Sequence, residues 1–433
     1  MTATDESADI PAERQKAEAS RPDAVIGRHV GWRQLLLVLG PGLVAMLADT
    51  EAGSVITAAQ SGAEWGYRLV LIQFLLIVPL FASQELAARL GLATRQGLTD
   101  LVRQRYGRPM AAVLLAVLIA SCLGALVTEF GGLAGVGALF GIPAWQSCGL
   151  AALALLCVVW TGRYRSVELI ALIVGACELA FILLAVLAHP SWREMQAQAF
   201  QLPLNNHRYL FLLAANLGTC VIPWAVFYQQ SASVDKKLDR VDLGAMRVET
   251  LIGAVLCQVV TAAVIVAAAA AFGHGLVAGQ SLDTVGEIAG AFTLSVGAVA
   301  GKAIFALGLS GGALVAAIVV CLTAAWSIGE AFGIRHSLSE RPWHAPRFYL
   351  VFSLVVLSGA ALVAFGPDPV TLALDMGVLN ALLLPVVLWV LYTMARHDLP
   401  ADLRLRGPYA VLVAVVLTVT SVLGLTASLL GLS

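Results

Sequence analysis

Residues 40–67 read GPGLVAMLADTEAGSVITAAQSGAEWGY. The run is apolar enough to enter a bilayer, yet Asp49 and Glu51 stand one residue apart in its middle, followed by Ala52, Gly53 and Ser54. An acid at the bilayer centre costs about 2.5–3.5 kcal/mol on insertion scales, so an acid pair there needs a physical reason. The surrounding chain makes the bilayer the relevant solvent. Of 433 residues, 59% are hydrophobic and 12% charged, about half the charged fraction of a soluble domain. A net charge of −1 gives no electrostatic case for a nucleic-acid partner. The seven cysteines form no CxxC pair and read as small buried residues.

About 20 apolar residues make a membrane-spanning helix. Eleven spans are expected, near 34–57, 67–88, 110–139, 145–161, 167–188, 209–232, 248–273, 300–332, 347–366, 369–394 and 408–431. The stretch 282–298 is apolar but interrupted and leads into the eighth span. Residues 1–30 are polar without an apolar signal core and read as a disordered cytoplasmic tail; the transporter domain is 31–433. Arg28 and Arg33, and the loops around 89–108, 163–165, 236–247, 335–347 and 396–406, carry most of the Lys and Arg. The alternate loops carry few, namely Arg193, Arg208 and Lys302 at a helix edge. The positive-inside rule then predicts a cytoplasmic N-terminus and an external C-terminus in a cell membrane. No Walker lysine motif, nucleotide fingerprint or HExxH occurs, which excludes a single-chain ATP-driven pump and gives no sign of a tightly bound cofactor.

Two spans are interrupted. The first holds Gly40, Pro41 and Gly42 before its acids; the sixth, ANLGTCVIPWAVFYQQS, holds Asn216, Gly218, Thr219, Pro223 and Gln229. Gly and Pro weaken the helical ladder, and freed backbone groups in hydrocarbon need internal partners. First and sixth correspond if the chain is two inverted five-helix halves, about 34–188 and 209–394, plus an extra helix at 408–431. A matched pair of interrupted helices points to a substrate site between the halves. Two close carboxylates repel unless a cation or proton neutralises them, and a divalent ion accepts carboxylate, hydroxyl and carbonyl oxygens. Glu129 in span three is the next isolated acid, open to a proton relay, support of a ligand or a helix contact. Glu178 reads as an interhelical hydrogen bonder, and Glu330 as a residue that snorkels or meets a loop arginine. Asn380, five residues before Pro385 in span ten, has a side-chain carbonyl to offer an ion, with Asp375 nearby.

The stretch 40–67, continued by ELAARLGLATRQGLTDLVRQRYG, resembles the Nramp divalent-metal transporters, whose first span reads GPG…DPGN…QAGA..GY. The register is gapless from Gly40 to Tyr67 and runs on to about residue 107. AHPSW after span five and GTCVIPW in span six fit the same pattern, more loosely. The resemblance implies an all-α integral membrane protein of about eleven transmembrane helices, with a LeuT-like fold and broken helices one and six. It implies that Glu51 stands for the metal aspartate of DPGN, Ser54 for its asparagine, Ile222 for a metal-binding methionine and Thr219 for a carbonyl ligand. Asp49 has no counterpart. Ile222 brings no thioether, Trp224 and Gln229 stand where family members have histidines, and Leu126 replaces an aspartate three residues before Glu129. These departures look like the Nramp-related magnesium-transporter branch; the longer side chain of Glu51 departs from both patterns. The expected function is a secondary transporter or facilitator importing Mg²⁺ or Mn²⁺ by alternating access with weak or no proton coupling, not an enzyme. The alternatives are an ordinary proton-coupled Mn²⁺/Fe²⁺ transporter and a LeuT-type carrier of an organic solute. Expected partners are divalent ions and the lipid bilayer, with no nucleic acid or nucleotide; a monomer is compatible with the sequence. Metal candidates are Glu51, Asp49, Ser54, Thr219 and Asn380, with Glu129, Ile222, Trp224, Gln229 and Asn216 along the pathway.

Overall fold

The computed structural model describes residues 40–273, 282, 284–334, 336–364 and 369–432. The expected tail at 1–30, the start of span one, and Arg28, Arg33 and Arg335 lie outside the described residues. Among the described residues all regular structure is helical. Among the described residues, nine helical segments are long and apolar enough to cross a membrane, with Ala144–Val159 a shorter apolar helix. Each of the eleven expected spans coincides with helix, and the differences lie at the breaks and ends.

Span one is two half-helices, α1 (Pro41–Asp49) and α2 (Ala52–Trp65). Span two is α3 (Val70–Thr94). Span three, α4 (Leu98–Leu139), starts twelve residues before the expected 110. Its polar first turns continue as helix up to Gly107, whose φ of 85° is a conformation that disfavours a side chain and kinks the element ahead of Pro109. Span four is α5 (Ala144–Val159), and span five is α6 (Tyr164–Leu187), which tightens to a 3₁₀ turn at Ala176–Leu179. The loop expected at 189–208 contains a short helix, α7 (Trp192–Gln198), started by Ser191, whose hydroxyl accepts from Glu194 N–H at 3.3 Å.

Span six is again split, into α8 (His207–Cys220) and α9 (Pro223–Asp235), and span seven is α10 (Leu243–Gly273). The interrupted stretch before span eight is a helix of its own, α11 (Val285–Val296), opened by a Thr284–Glu287 capping box. It turns at Gly297 into α12 (Ala298–Phe332); α13 (Pro346–Ala364), α14 (Pro369–His397) and α15 (Gly407–Leu432) complete the chain.

The broken helices sit inside. α12 packs along α4 and α1, α10 against α2 and α3, and α8 against α14 and α15. A Cβ built at Gly218 would lie 1.8 Å from Gly377 O, so α8 and α14 meet backbone to backbone at a point where only glycine fits. The side chains left outward, such as Leu75, Leu150, Ile173 and Val411, are apolar, as a lipid-facing surface requires. Of the cysteines, Cys157 is exposed and Cys177 half-buried, so the expectation of buried residues holds for the other five. Arg68 adds a cation to the arginine-poor face, where it donates to Trp65 O and Gln201.

Candidate metal site at two helix breaks

α1 ends at Asp49, where Thr50 N–H closes the last turn on Leu47 O at 3.1 Å. Thr50 (φ −83°, ψ 46°) and extended Glu51 (φ −67°, ψ 171°) leave the ladder before α2 resumes at Ala52. The negative end of one helix dipole and the positive end of another thus face the same gap. In the sixth span, Val221 and Ile222 are extended ahead of Pro223. Proline disfavours the α conformation in its predecessor and fits the first helical position, where an N–H has no partner anyway.

Ser54 joins the two breaks. Its hydroxyl lies 2.7 Å from Asp49 O and 3.1 Å from Thr219 O, one break on each side. Glu51, at the N-cap of α2, is 3% exposed, and its carboxyl meets that of Glu129. Glu129 Oε2 accepts the Ala52 N–H at 3.1 Å, so span three caps the freed N-terminus of α2. Asp49 is 1% exposed and neither of its oxygens has a hydrogen-bond partner; Glu51 Oε2 and Glu129 Oε1 also lack one. The structure therefore brings Asp49, Glu51, Ser54, Thr219 and Glu129 to one place. Among the described residues, no three His, Cys, Asp or Glu side chains converge as a metal-holding group. A cation at the breaks would draw on carbonyl and hydroxyl oxygens beside carboxylate.

The remaining candidates are distributed around this junction. Ile222 and Trp224 are fully buried, and Trp224 Nε1 has no partner. Gln229 is also fully buried, with Nε2 3.8 Å from Met246 Sδ. Asn216 ties three helices together, donating to Ser61 Oγ and Leu212 O at 2.7 Å and accepting from Gln73 at 2.6 Å. Asn380 Oδ1 accepts the Ser121 hydroxyl at 2.8 Å, which places its carbonyl against span three. Asp375 is exposed.

Several polar partners were not legible beforehand. Glu330 does not snorkel: it is buried and, among the described residues, accepts from Ser231 Oγ at 2.8 Å and Thr99 N–H at 3.3 Å, capping α4. Glu249 of α10 accepts from Gly40 N–H at 2.6 Å and Leu43 N–H at 2.9 Å, capping α1. Cys220 and Cys257 lie on the Asp49 side of the junction, bridged by Gln258, whose Nε2 is 3.1 and 3.8 Å from their sulfurs. Sulfur is thus closer to the breaks than Ile222 alone suggests. The signal available in sequence was only the position of Cys220 next to the second break.

Contacts close both ends. On the arginine-poor face, Arg208 makes a two-pronged pair with Glu64, with N–O distances of 2.7 and 3.0 Å, beside a T-shaped Trp65–Tyr209 contact. On the arginine-rich face, Lys236 pairs with Glu168 at 2.9 Å next to the Glu249 cap, and Asp235 accepts from Ser337 and Leu338. A lateral groove of about 500 Å³, lined by Val70, Phe74, Ile182 and Trp192 among others, contains none of the junction residues.

A family model described as natural resistance-associated macrophage protein-like (Nramp) matches residues 42–429. The divalent metal cation transporter MntH of Verminephrobacter eiseniae is 27% identical over 262 residues, 58% of this chain and 59% of its own length. The chain therefore aligns with about three-fifths of that relative. A crystal structure of the Eremococcus coleocola manganese transporter superposes with a TM-score of 0.73 at 17% identity, covering 93% of this chain and 88% of that one. MhsT in complex with L-phenylalanine superposes at 0.60 with 15% identity, covering 91% and 98%. At these identities the likeness shows the fold, a LeuT-like bundle with breaks in helices one and six. The family match extends over nearly the whole described chain: this protein belongs to the Nramp family.

Proposed function

We propose that this chain moves divalent metal cations across a cell membrane by alternating access, acting as a carrier and not an enzyme. The observation that carries the reading is Ser54, whose hydroxyl lies between Asp49 O and Thr219 O beside Glu51, whose Oε2 has no hydrogen-bond partner. Buried carboxylates without a neighbouring cation are costly, and a bound divalent ion removes the cost. Glu51, Ser54 and the Thr219 carbonyl would supply oxygens, with Asp49 adding charge. Ile222 puts a hydrocarbon where a thioether would favour softer metals, which supports Mg²⁺ or Mn²⁺ as cargo with several waters retained. A membrane potential negative inside drives a divalent ion inward by about 4.6 kcal/mol per 100 mV without a coupled proton.

A second reading, proton-coupled Mn²⁺ transport, draws on Glu129, whose carboxyl meets Glu51 directly. The two are separated by Mn²⁺ uptake into proteoliposomes with lumenal pH recorded. Uptake that Mg²⁺ competes for, that Cd²⁺ competes for poorly, and that proceeds without lumenal acidification is expected. Acidification in step with Mn²⁺ selects the second reading. Dominant competition by Cd²⁺ overturns the preference for hard ions.

A further inference from the structure

The arginine-rich face is not uniform. Around spans two, three and ten its cations are matched by acids: Arg95 with Asp239, Arg103 with Asp100 and Arg105 with Asp398. The loops that lead into α6 and α13 differ. Arg163, Arg165, Arg341 and Arg347 are exposed, and among the described residues none of the four forms an ion pair. Of the acids in these loops, Glu168 is already held by Lys236 at 2.9 Å and Glu340 is half-buried. Guanidinium charge is therefore in excess there, on the side chain whose forked donors match phosphate oxygens.

Packing brings the two loops together. Gly162 turns the chain after α5 with φ 63°, and a Cβ built there would lie 2.9 Å from Pro342 Cδ and 3.4 Å from Arg341 Cα. Trp160 Nε1 donates to Ser353 Oγ at 3.1 Å, and its ring meets that of Tyr349 edge-on. The end of α5 is thus fastened to the first turns of α13. Between α12 and α13 lies a pocket of about 250 Å³, lined by Gly333, Ile334, His344, Ala345, Pro346 and Arg347. A Cβ built at Gly333 meets nothing within 4 Å, so the pocket is open above the end of α12.

The surroundings say which kind of anion fits. Trp343 is 81% exposed, Phe332 71% and Trp160 46%. Exposed tryptophan at the ends of membrane helices marks the level where headgroups meet hydrocarbon. Further along α13, Leu350, Leu354 and Leu357 are each at least half exposed. A soluble anion would engage the arginines and leave the tryptophans and leucines without a role. A phospholipid engages all three layers, and basic pockets between membrane helices suit anionic headgroups.

We infer that the 160–165 and 341–347 loops form a binding site for an anionic phospholipid of the leaflet on the arginine-rich face. Its phosphate lies at Arg341, His344 and Arg347, and its acyl chains run along the exposed leucines of α13. The site shares no residue with the junction of the two breaks and does not depend on which ion that junction carries. Because α13 packs on α5 and α12, a lipid held there supports spans four, eight and nine together.

The test is native mass spectrometry of the purified full chain in detergent, titrated with phosphatidylglycerol or with phosphatidylcholine of the same acyl chains. Phosphatidylglycerol should bind at least about fivefold more tightly, the scale of one arginine at a membrane surface. Arg341→Gln and Arg347→Gln should each weaken it by about fivefold and leave phosphatidylcholine within about twofold. Both side chains are exposed, so the variants should keep the parent's thermal midpoint. Arg406→Gln, at an exposed arginine of the same face before α15, should leave phosphatidylglycerol binding within about twofold. Equal affinity for the two lipids overturns the inference. An equal loss in Arg406→Gln also overturns it, assigning the effect to the charge of the whole face. Displacement of phosphatidylglycerol by inorganic phosphate at matching concentration overturns it as well, and makes the pocket a site for a soluble anion.

Discussion

The two helix breaks are built from opposite materials. The break in span one carries charge: Asp49 and Glu51 flank Thr50, Ser54 follows one turn later, and most of their side-chain oxygens lack protein partners. The break in span six carries none. Val221 and Ile222 are fully buried hydrocarbons, Trp224 seals the start of α9, and the contribution to the junction is the Thr219 carbonyl. A membrane interior tolerates exposed backbone only where it lines a cavity or is buried in protein, and each break meets that condition differently. Span six satisfies it with shape and a proline. Span one needs outside help, from Glu129 on Ala52 N–H and Glu249 on the N–H groups of Gly40 and Leu43.

The contrast can be broken most strongly at Glu51. Glu51→Ala should reduce Mn²⁺ or Mg²⁺ uptake into proteoliposomes by more than about 100-fold, beyond the range for loss of a supporting group. Unchanged flux would remove Glu51 from the site. Glu129→Ala should weaken Mn²⁺ binding by about 10–100-fold, since it strips the cap from α2 and frees the Glu51 carboxyl; calorimetry on purified protein reads this directly. Ile222→Met gives the hydrocarbon break a thioether and should raise Cd²⁺ potency against Mn²⁺ uptake about tenfold, ~1.4 kcal/mol. No change there would mean that residue 222 does not face the ion. The smallest effects belong to the ends. Glu249→Ala should cost about 1–2 kcal/mol by leaving the first N–H groups of α1 without an acceptor. Arg208→Ala, at a partly exposed pair, should cost at most about 1 kcal/mol. Thermal unfolding in detergent ranks the two, and a larger loss for Arg208→Ala would reverse the view that span one is the break that needs support.

Much of this was legible before any coordinates. The acids of span one announced themselves because a charge in an apolar run has no local explanation. Pro223 and Gly218 marked the second break because their backbone consequences are local too. Register against the family motif put Glu51 and Ser54 at the junction, where the structure also places them. Asn380 was chosen by the same logic of a polar residue near a proline, yet its oxygen is held by Ser121. Glu330 looked like a residue at a helix end seeking water and is instead buried as a cap. Glu178 reads in sequence as an interhelical hydrogen bonder, and the structure buries it in the 3₁₀ turn of α6 with Thr50 of the first break as its polar neighbour.

Hydropathy, charge placement and helix breakers act over one helical turn or one bilayer thickness, so the sequence by itself determined the solvent, the spans, the two breaks and the family. Which buried oxygen meets which donor depends on the rotation and crossing of helices that glycine contacts such as Gly218–Gly377 lock together. Those angles belong to the packed bundle, so only the tertiary structure decided that Ser54 joins the breaks and that Glu129 caps α2.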